Sequence, residues 1–88
     1  MPPTAARLTP EGRGGIAVLR IRGFDRALFR GRWPEPGGVA YGRIADVDDG
    51  LLVDFGDHVE VSVHGSPVIV EKLLSLFDPE PPEGDLVQ

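Results

Sequence analysis

The residues best suited to chemistry lie between 58 and 70, in the stretch HVEVSVHGSPVIV. Val59, Val61 and Val63 alternate there with His58, Glu60, Ser62 and His64. Successive side chains of a strand point to opposite faces, so the four polar residues share one face. Glu60 admits two readings. Its face is simply wet, or its carboxylate accepts two parallel N–H bonds from a heterocycle that carries an amino group. Arg20, flanked by Leu19 and Ile21, raises the same question in another apolar run. A charge there must be exposed or paired, because burying it alone is costly. Its guanidinium is also shaped for a carboxylate or a phosphate. The third feature is GRGG at 12–15, which ends in Gly14 and Gly15. Glycine-rich backbone can form an anion-binding nest, or the segment is a flexible turn.

Other chemistries find no support. There is no cysteine, which removes thiol catalysis and thiolate zinc sites. His58 and His64 lie six residues apart, roughly 20 Å along a straight strand, so they do not share a metal. No phosphate-binding GxxxxGK[ST] loop occurs in the sequence. No serine or threonine is spaced with a histidine and an acid as a nucleophile would be. No catalytic residue and no metal ligand is therefore assigned, and the chain is not expected to be an enzyme.

The 88 residues carry a net charge of −5, unevenly placed. Residues 1–33 hold seven arginines against Glu11 and Asp25, whereas 34–88 hold Arg43 and Lys72 against twelve acids. The basic third suits an anionic ligand, or it is neutralised by the acidic remainder within the fold or across a dimer. The overall acidity argues against direct nucleic-acid binding. No apolar run approaches roughly 18 residues and the N-terminus MPPTAARL has no apolar core of a signal peptide. The composition suits a cytoplasmic protein with no membrane association. A domain of this length buries only about 60–65% of its unfolded surface, and small cores of this kind are often completed by dimerisation.

The elements that would position these residues follow from pattern. Residues 4–8 and 16–23 read as strands, with the turn-rich 9–15 between them. FDRALFRGRW (24–33) reads as a short helix, with Phe24, Ala27 and Leu28 at i, i+3 and i+4 and a stop at Gly31. PEPGG (34–38) is a loop. Residues 39–47 form a strand, DDG (48–50) a tight turn, and 51–55 the returning strand. The strand 58–64 then passes through Gly65 into a helix over 67–77. Ser66 is placed to cap that helix, Pro67 fits its first position, and Glu71 complements its dipole. The expected fold is α+β, a small mixed or antiparallel sheet of about five strands with two helices. The domain covers 1–77, and 78–88 is an acidic, proline-rich and mobile tail.

Several motifs in order carry a family resemblance. Thr9-Pro10, Gly12-Arg13-Gly14-Gly15-Ile16 and Arg20-Ile21-Arg22-Gly23, then VAYGRIADVDDGLLVDF, then the valine–glutamate and histidine–glycine–x–proline pattern of DHVEVSVHGSPVIVEKLL, resemble the N-terminal domain of the MnmE/TrmE tRNA-modification GTPases. The resemblance covers most of residues 4–77. It implies a folate-binding, aminomethyltransferase-related fold that forms a homodimer. The cofactor it implies is a tetrahydrofolate derivative, 5-formyl or 5,10-methylene, serving modification of a tRNA wobble uridine. By position it carries cofactor binding to Arg20 and Glu60, with Gly14 and Gly15 in the glycine turn. Glu60 would accept N–H bonds from the pterin and Arg20 would contact polar or anionic groups of the folate. Ser66 stands where the family has a second glycine, and the segment before the glutamate strand is shortened to Phe55-Gly56-Asp57. The family's GTPase domain, helical domain and C-terminal cysteine motif have no counterpart in these residues. The resemblance therefore implies a stand-alone module without GTPase activity, working with a separate GTPase or tRNA-modifying partner. The alternative is a dimerisation or interaction scaffold whose folate pocket has degenerated.

Overall fold

The alternation in 58–64 folds as a strand with one dry and one wet face. Val59, Val61 and Val63 are buried, while Glu60 and Ser62 are half-buried and His64 is exposed. The computed structural model describes residues 2–10 and 15–81. Among these, seven strands form one sheet: β1 (Thr4–Arg7), β2 (Ile16–Arg22), β3 (Phe29–Arg30), β4 (Val39–Ile44), β5 (Asp48–Asp54), β6 (Val59–His64) and β7 (Asp78–Pro79). Their order is β3-β4-β5-β6-β2-β1-β7. All neighbours are antiparallel except β1 and β7, which run parallel. One helix, α1 (Pro67–Leu74), follows β6.

The core lies on one face of this sheet. Ala17, Leu19 and Ile21 of β2, Ile44 of β4, Leu52 of β5 and the three valines of β6 are buried there with Val70 and Leu73 of α1. Phe24, Trp33 and Phe77 close the margin of that core as a ring cluster, with Phe24 6.2 Å from Trp33 and 6.3 Å from Phe77. The opposite face has no covering element among the described residues. Paired residues share a face, so the register writes rows across it. One row reads Val39–Val53–Glu60–Arg20–Ala6 and the next Tyr41–Leu51–Ser62–Val18. Ile16, Val39, Tyr41 and Leu51 are exposed on it.

The α+β class and the single sheet agree with the sequence, but the count of five strands and two helices is corrected to seven and one. The segment 24–33 is not a helix. Asp25 caps a three-residue 3-10 turn, Arg26–Leu28, by accepting from the Ala27 N–H at 2.9 Å. The chain then extends into β3, which buries Phe29 in the core. Burial of that one aromatic outweighs a weak three-residue helical spacing. The tight turn also moves. Ala45 and Asp46 take φ of 52° and 58°, and the Val47 N–H donates to the Ile44 carbonyl at 2.9 Å. Two left-handed residues bridging a hairpin match the right-handed twist of the strands. Asp48 to Gly50 lie inside β5 instead. The helix ends at Leu74, its cap Ser66 makes no side-chain capping bond, and Glu71 falls beyond its first turn, which holds no acid. Last, Asp78–Pro79, assigned by composition to a mobile tail, pairs with β1: Asp78 N–H donates to the Pro3 carbonyl and Glu80 N–H to the Ala5 carbonyl, each at 3.0 Å. No helix among the described residues is long and apolar enough to cross a membrane.

Candidate functional site

Arg20 and Glu60 meet on the uncovered face. They are directly paired between β2 and β6. Opposed residues of antiparallel strands hold their Cβ atoms about 4.5–5.5 Å apart. Both side chains are about two-thirds shielded, with Arg20 at 31% and Glu60 at 32% exposure. The dry valine and leucine rows behind them fix the two strands, so the pair is held by rigid elements rather than loops.

Around this pair the structure closes a network of alternating charge. Glu80 grips the Arg20 guanidinium bidentately, with Nε to Oε2 at 3.1 Å and Nη2 to Oε1 at 2.6 Å. Parallel N–H bonds of this kind are short and among the stronger polar contacts in proteins. The Arg20 fork holds the Glu80 carboxyl below its ordinary value, with Arg22 and His58 adding to the effect. Arg22 lies 4.0 Å from Glu80 and also donates to Asp57 at 3.2 Å. His58 Nδ1 lies 2.6 Å from Asp57, and its Nε2 lies 3.8 Å from Glu60. The ring of His58 stacks on Phe55 at 5.0 Å. The bond to His58 comes first in holding the Asp57 carboxyl down, with Arg22 adding to it. His58 thus connects Glu60 to a cleft of about 180 Å³ lined by Phe24, Arg26, Trp33, Asp54 and Asp57 among others. There Arg26 lies 4.6 Å over the Trp33 ring, and Trp33 Nε1 donates to Asp54 at 3.0 Å.

The basic first third is therefore neutralised within the fold at Arg20, Arg22 and Arg30, the last paired with Asp46 at 3.2 Å. Gly14 lies outside the described residues. Gly15 accepts the Gly65 N–H at 3.1 Å, which ties the end of the glycine turn to the exit of β6. It is five residues from Arg20, roughly 16 Å along a strand, so Gly15 does not join the Arg20–Glu60 pair. The sequence reading missed Glu80, Asp57 and Arg22 as members of the site. The i, i+2 spacing of Arg20 and Arg22 was a usable signal for the last. Glu80, sixty residues from its partner, left none.

His64, at the far end of β6, is organised separately. Asp48 Oδ2 accepts from the His64 backbone N–H at 2.9 Å and from ring Nδ1 at 2.8 Å. Burial pushes the Asp48 carboxyl up, but the two His64 contacts outweigh it and hold it below 3.8. Replacing Asp48 by asparagine removes the charge from a buried acceptor whose donors lie on the exposed His64, and losing such a charge-assisted contact costs about 1 kcal/mol. We expect Asp48→Asn to lower the urea midpoint accordingly at pH 7. The carboxylate's contribution is complete above pH 3.8 and is lost as pH falls through the lowered folded value. The difference between parent and variant therefore narrows on acidification, which an acid series of urea melts would check.

Fold and site together define an α+β single-sheet module with an arginine–carboxylate centre on its uncovered face. No family model matches the chain. Relatives do. The tRNA modification GTPase MnmE of Roseiflexus sp. is 39% identical over an alignment of 92 positions, gaps included, covering 80% of this chain and 20% of that protein. The MnmE of Neisseria gonorrhoeae is 37% identical over 93, covering 85% and 20%. That of Thiobacillus denitrificans is 37% identical over 87, covering 80% and 20%. The chain thus spans about one fifth of the length of these curated relatives, and over most of its own length it is similar to MnmE, as an N-terminal MnmE-like domain fragment is.

Proposed function

We propose that this chain is a binding module for a tetrahydrofolate derivative, 5-formyl or 5,10-methylene, in the service of tRNA wobble-uridine modification. The observation that carries the reading is the direct pairing of Arg20 with Glu60 on two rigid strands. A carboxylate and a guanidinium side by side suit a ligand with an amino-bearing ring at one end and an anionic group at the other. The similarity to MnmE supports the process this binding would serve. Gly14 and Gly15 belong to the reading through the resemblance alone. The apolar patch of Ile16, Val39, Tyr41 and Leu51 beside the pair is a surface that a second copy of the chain would cover. A separate GTPase or tRNA-modifying protein would supply the chemistry, in the cytoplasm.

Calorimetric titration with 5-formyltetrahydrofolate tests this. Micromolar binding is expected, and Glu60→Ala or Arg20→Ala should each weaken it about tenfold or more, the loss of one charge-assisted contact. Both variants binding like the parent would remove the site from these residues. A second reading has its own observation. Glu80 already fills the Arg20 fork, as it would in a scaffold whose pocket has closed for good. That reading predicts a dimer by sedimentation with no folate affinity.

A further inference from the structure

The contact between Glu80 and Arg20 is built unlike the rest of the sheet. Its polar half is strong: two near-parallel N–H bonds onto a carboxylate that is only 16% exposed. Its backbone half is slight. The strap carrying Glu80 is the two-residue β7, and Pro79 and Pro81 on either side of Glu80 have no N–H to donate. A short parallel ladder holds it to β1, with Asp78 N–H donating to the Pro3 carbonyl and Glu80 N–H to the Ala5 carbonyl at its ends. Asp78 and Pro79 are exposed. Phe77, one residue earlier, is packed among the core aromatics. The chain is thus anchored at 77 and only lightly held from 78 on. Segments with few buried apolar contacts and short ladders open at low free energy, independently of the global fold.

We propose that residues 78–81 form a latch in which Glu80 stands in for a ligand's carboxylate at Arg20. The inference rests on the reading of Arg20 as a ligand-binding residue. Glu80 lies between Arg20 and Arg22, at 2.6 Å and 4.0 Å. With it withdrawn, the two guanidinium groups present a cationic seat, bounded by Glu60 and Asp57, that fits one planar carboxylate. A folate offers such a group on its glutamate tail. The latch assigns Arg20 to that tail and leaves the ring to Glu60. A ligand then binds only the open fraction of the molecules, and its apparent affinity is reduced by that fraction. Occupancy of the site by ligand and release of the strap become the same event.

The test uses the full chain with Glu80→Ala, Arg20→Ala and the double variant, titrated with 5-formyltetrahydrofolate and with glutarate, a dicarboxylate lacking the ring. The latch predicts that Glu80→Ala binds 5-formyltetrahydrofolate about tenfold or more tightly than the parent, and that adding Arg20→Ala abolishes the gain. It also predicts that ligand accelerates hydrogen exchange of the Asp78 and Glu80 amides in the parent. If the parent binds, Arg20→Ala loses binding, and Glu80→Ala binds no better than the parent with both amides still protected, the latch is overturned and the folate site stands. If neither the parent nor Glu80→Ala binds 5-formyltetrahydrofolate, the folate reading fails and glutarate decides. Tighter glutarate binding by Glu80→Ala than by the parent, lost in the double variant, keeps the latch for another carboxylate ligand. Equal or absent response overturns it.

Discussion

Gly50→Ala is expected to lower the melting temperature by about 12–24 °C, the consequence of overpacking by about 3 kcal/mol in a domain of this size. Gly50 sits inside β5, opposite Gly42 of β4. A Cβ built on it would collide with the Ser62 carbonyl oxygen and lie 3.1 Å from the Ser62 carbonyl carbon and 3.2 Å from Ile44 Cδ1. The side chain of Ile44 can turn away. The Ser62 carbonyl cannot, because it belongs to β6, whose backbone is paired on both sides. The strain must be relieved by moving β5 away from β6, and β6 carries Glu60. A thermal melt followed by circular dichroism checks the prediction. A parent-like melting temperature would mean that the two strands can part at little cost, and the rigid placement of Glu60 would be lost with that result.

The second large effect is at Leu73. It is fully buried and with Val70 forms the centre of the apolar contact of α1 with the core, which the partly buried Ile69 and Leu74 extend. Truncating a buried leucine to alanine costs about 2–5 kcal/mol, against a total of about 5–15 for a typical domain. Leu73→Ala should lower the urea midpoint while leaving the slope of the transition unchanged. Val68, on the same helix but 68% exposed, supplies the control: Val68→Ala should change stability by no more than about 0.5 kcal/mol. A Leu73 variant as stable as the Val68 one would show that α1 does not clamp the sheet. The end of that helix leads to Phe77 and from there to the strap, so a loosened α1 should also weaken the hold of Glu80 on Arg20.

Where periodicity spans a whole element, the sequence was readable. The valines of 59–63 declare a strand whose two faces follow from parity, whereas 16–22 declares a strand but is apolar at Ile16 and Val18 as well as at Ala17, Leu19 and Ile21. Glu60 could be placed on the polar face of its strand from the pattern, whereas for Arg20 the pattern left only that it is exposed or paired. Their direct opposition did need the fold, because register between β2 and β6 depends on turns forty residues apart. Short elements were the weak point. Phe24, Ala27 and Leu28 have helical spacing, yet burial of Phe29 and stacking of Phe24 and Trp33 decide that segment. Gly50 looks like turn punctuation beside two aspartates, but it serves a close backbone approach. Its turn is made by Ala45 and Asp46, residues with no glycine's licence for a positive φ. Glu80 lay in a run of prolines and acids that composition assigns to solvent. Its order comes from one distant guanidinium and a short parallel ladder to β1, and pattern cannot register either.

The two outermost strands of the sheet, β3 and β7, are each two residues long. Edge strands with free backbone groups are templates on which another chain can add and a fibre can grow. Here both templates are too short to recruit a partner strand of useful length, and one of them is interrupted by a proline. The strap is therefore also a guard on β1. Whenever it lifts from Arg20 it bares the four-residue edge of β1, so long exposure of the open form would favour self-association through the backbone, and a bound ligand that kept the strap displaced would bring that hazard with it.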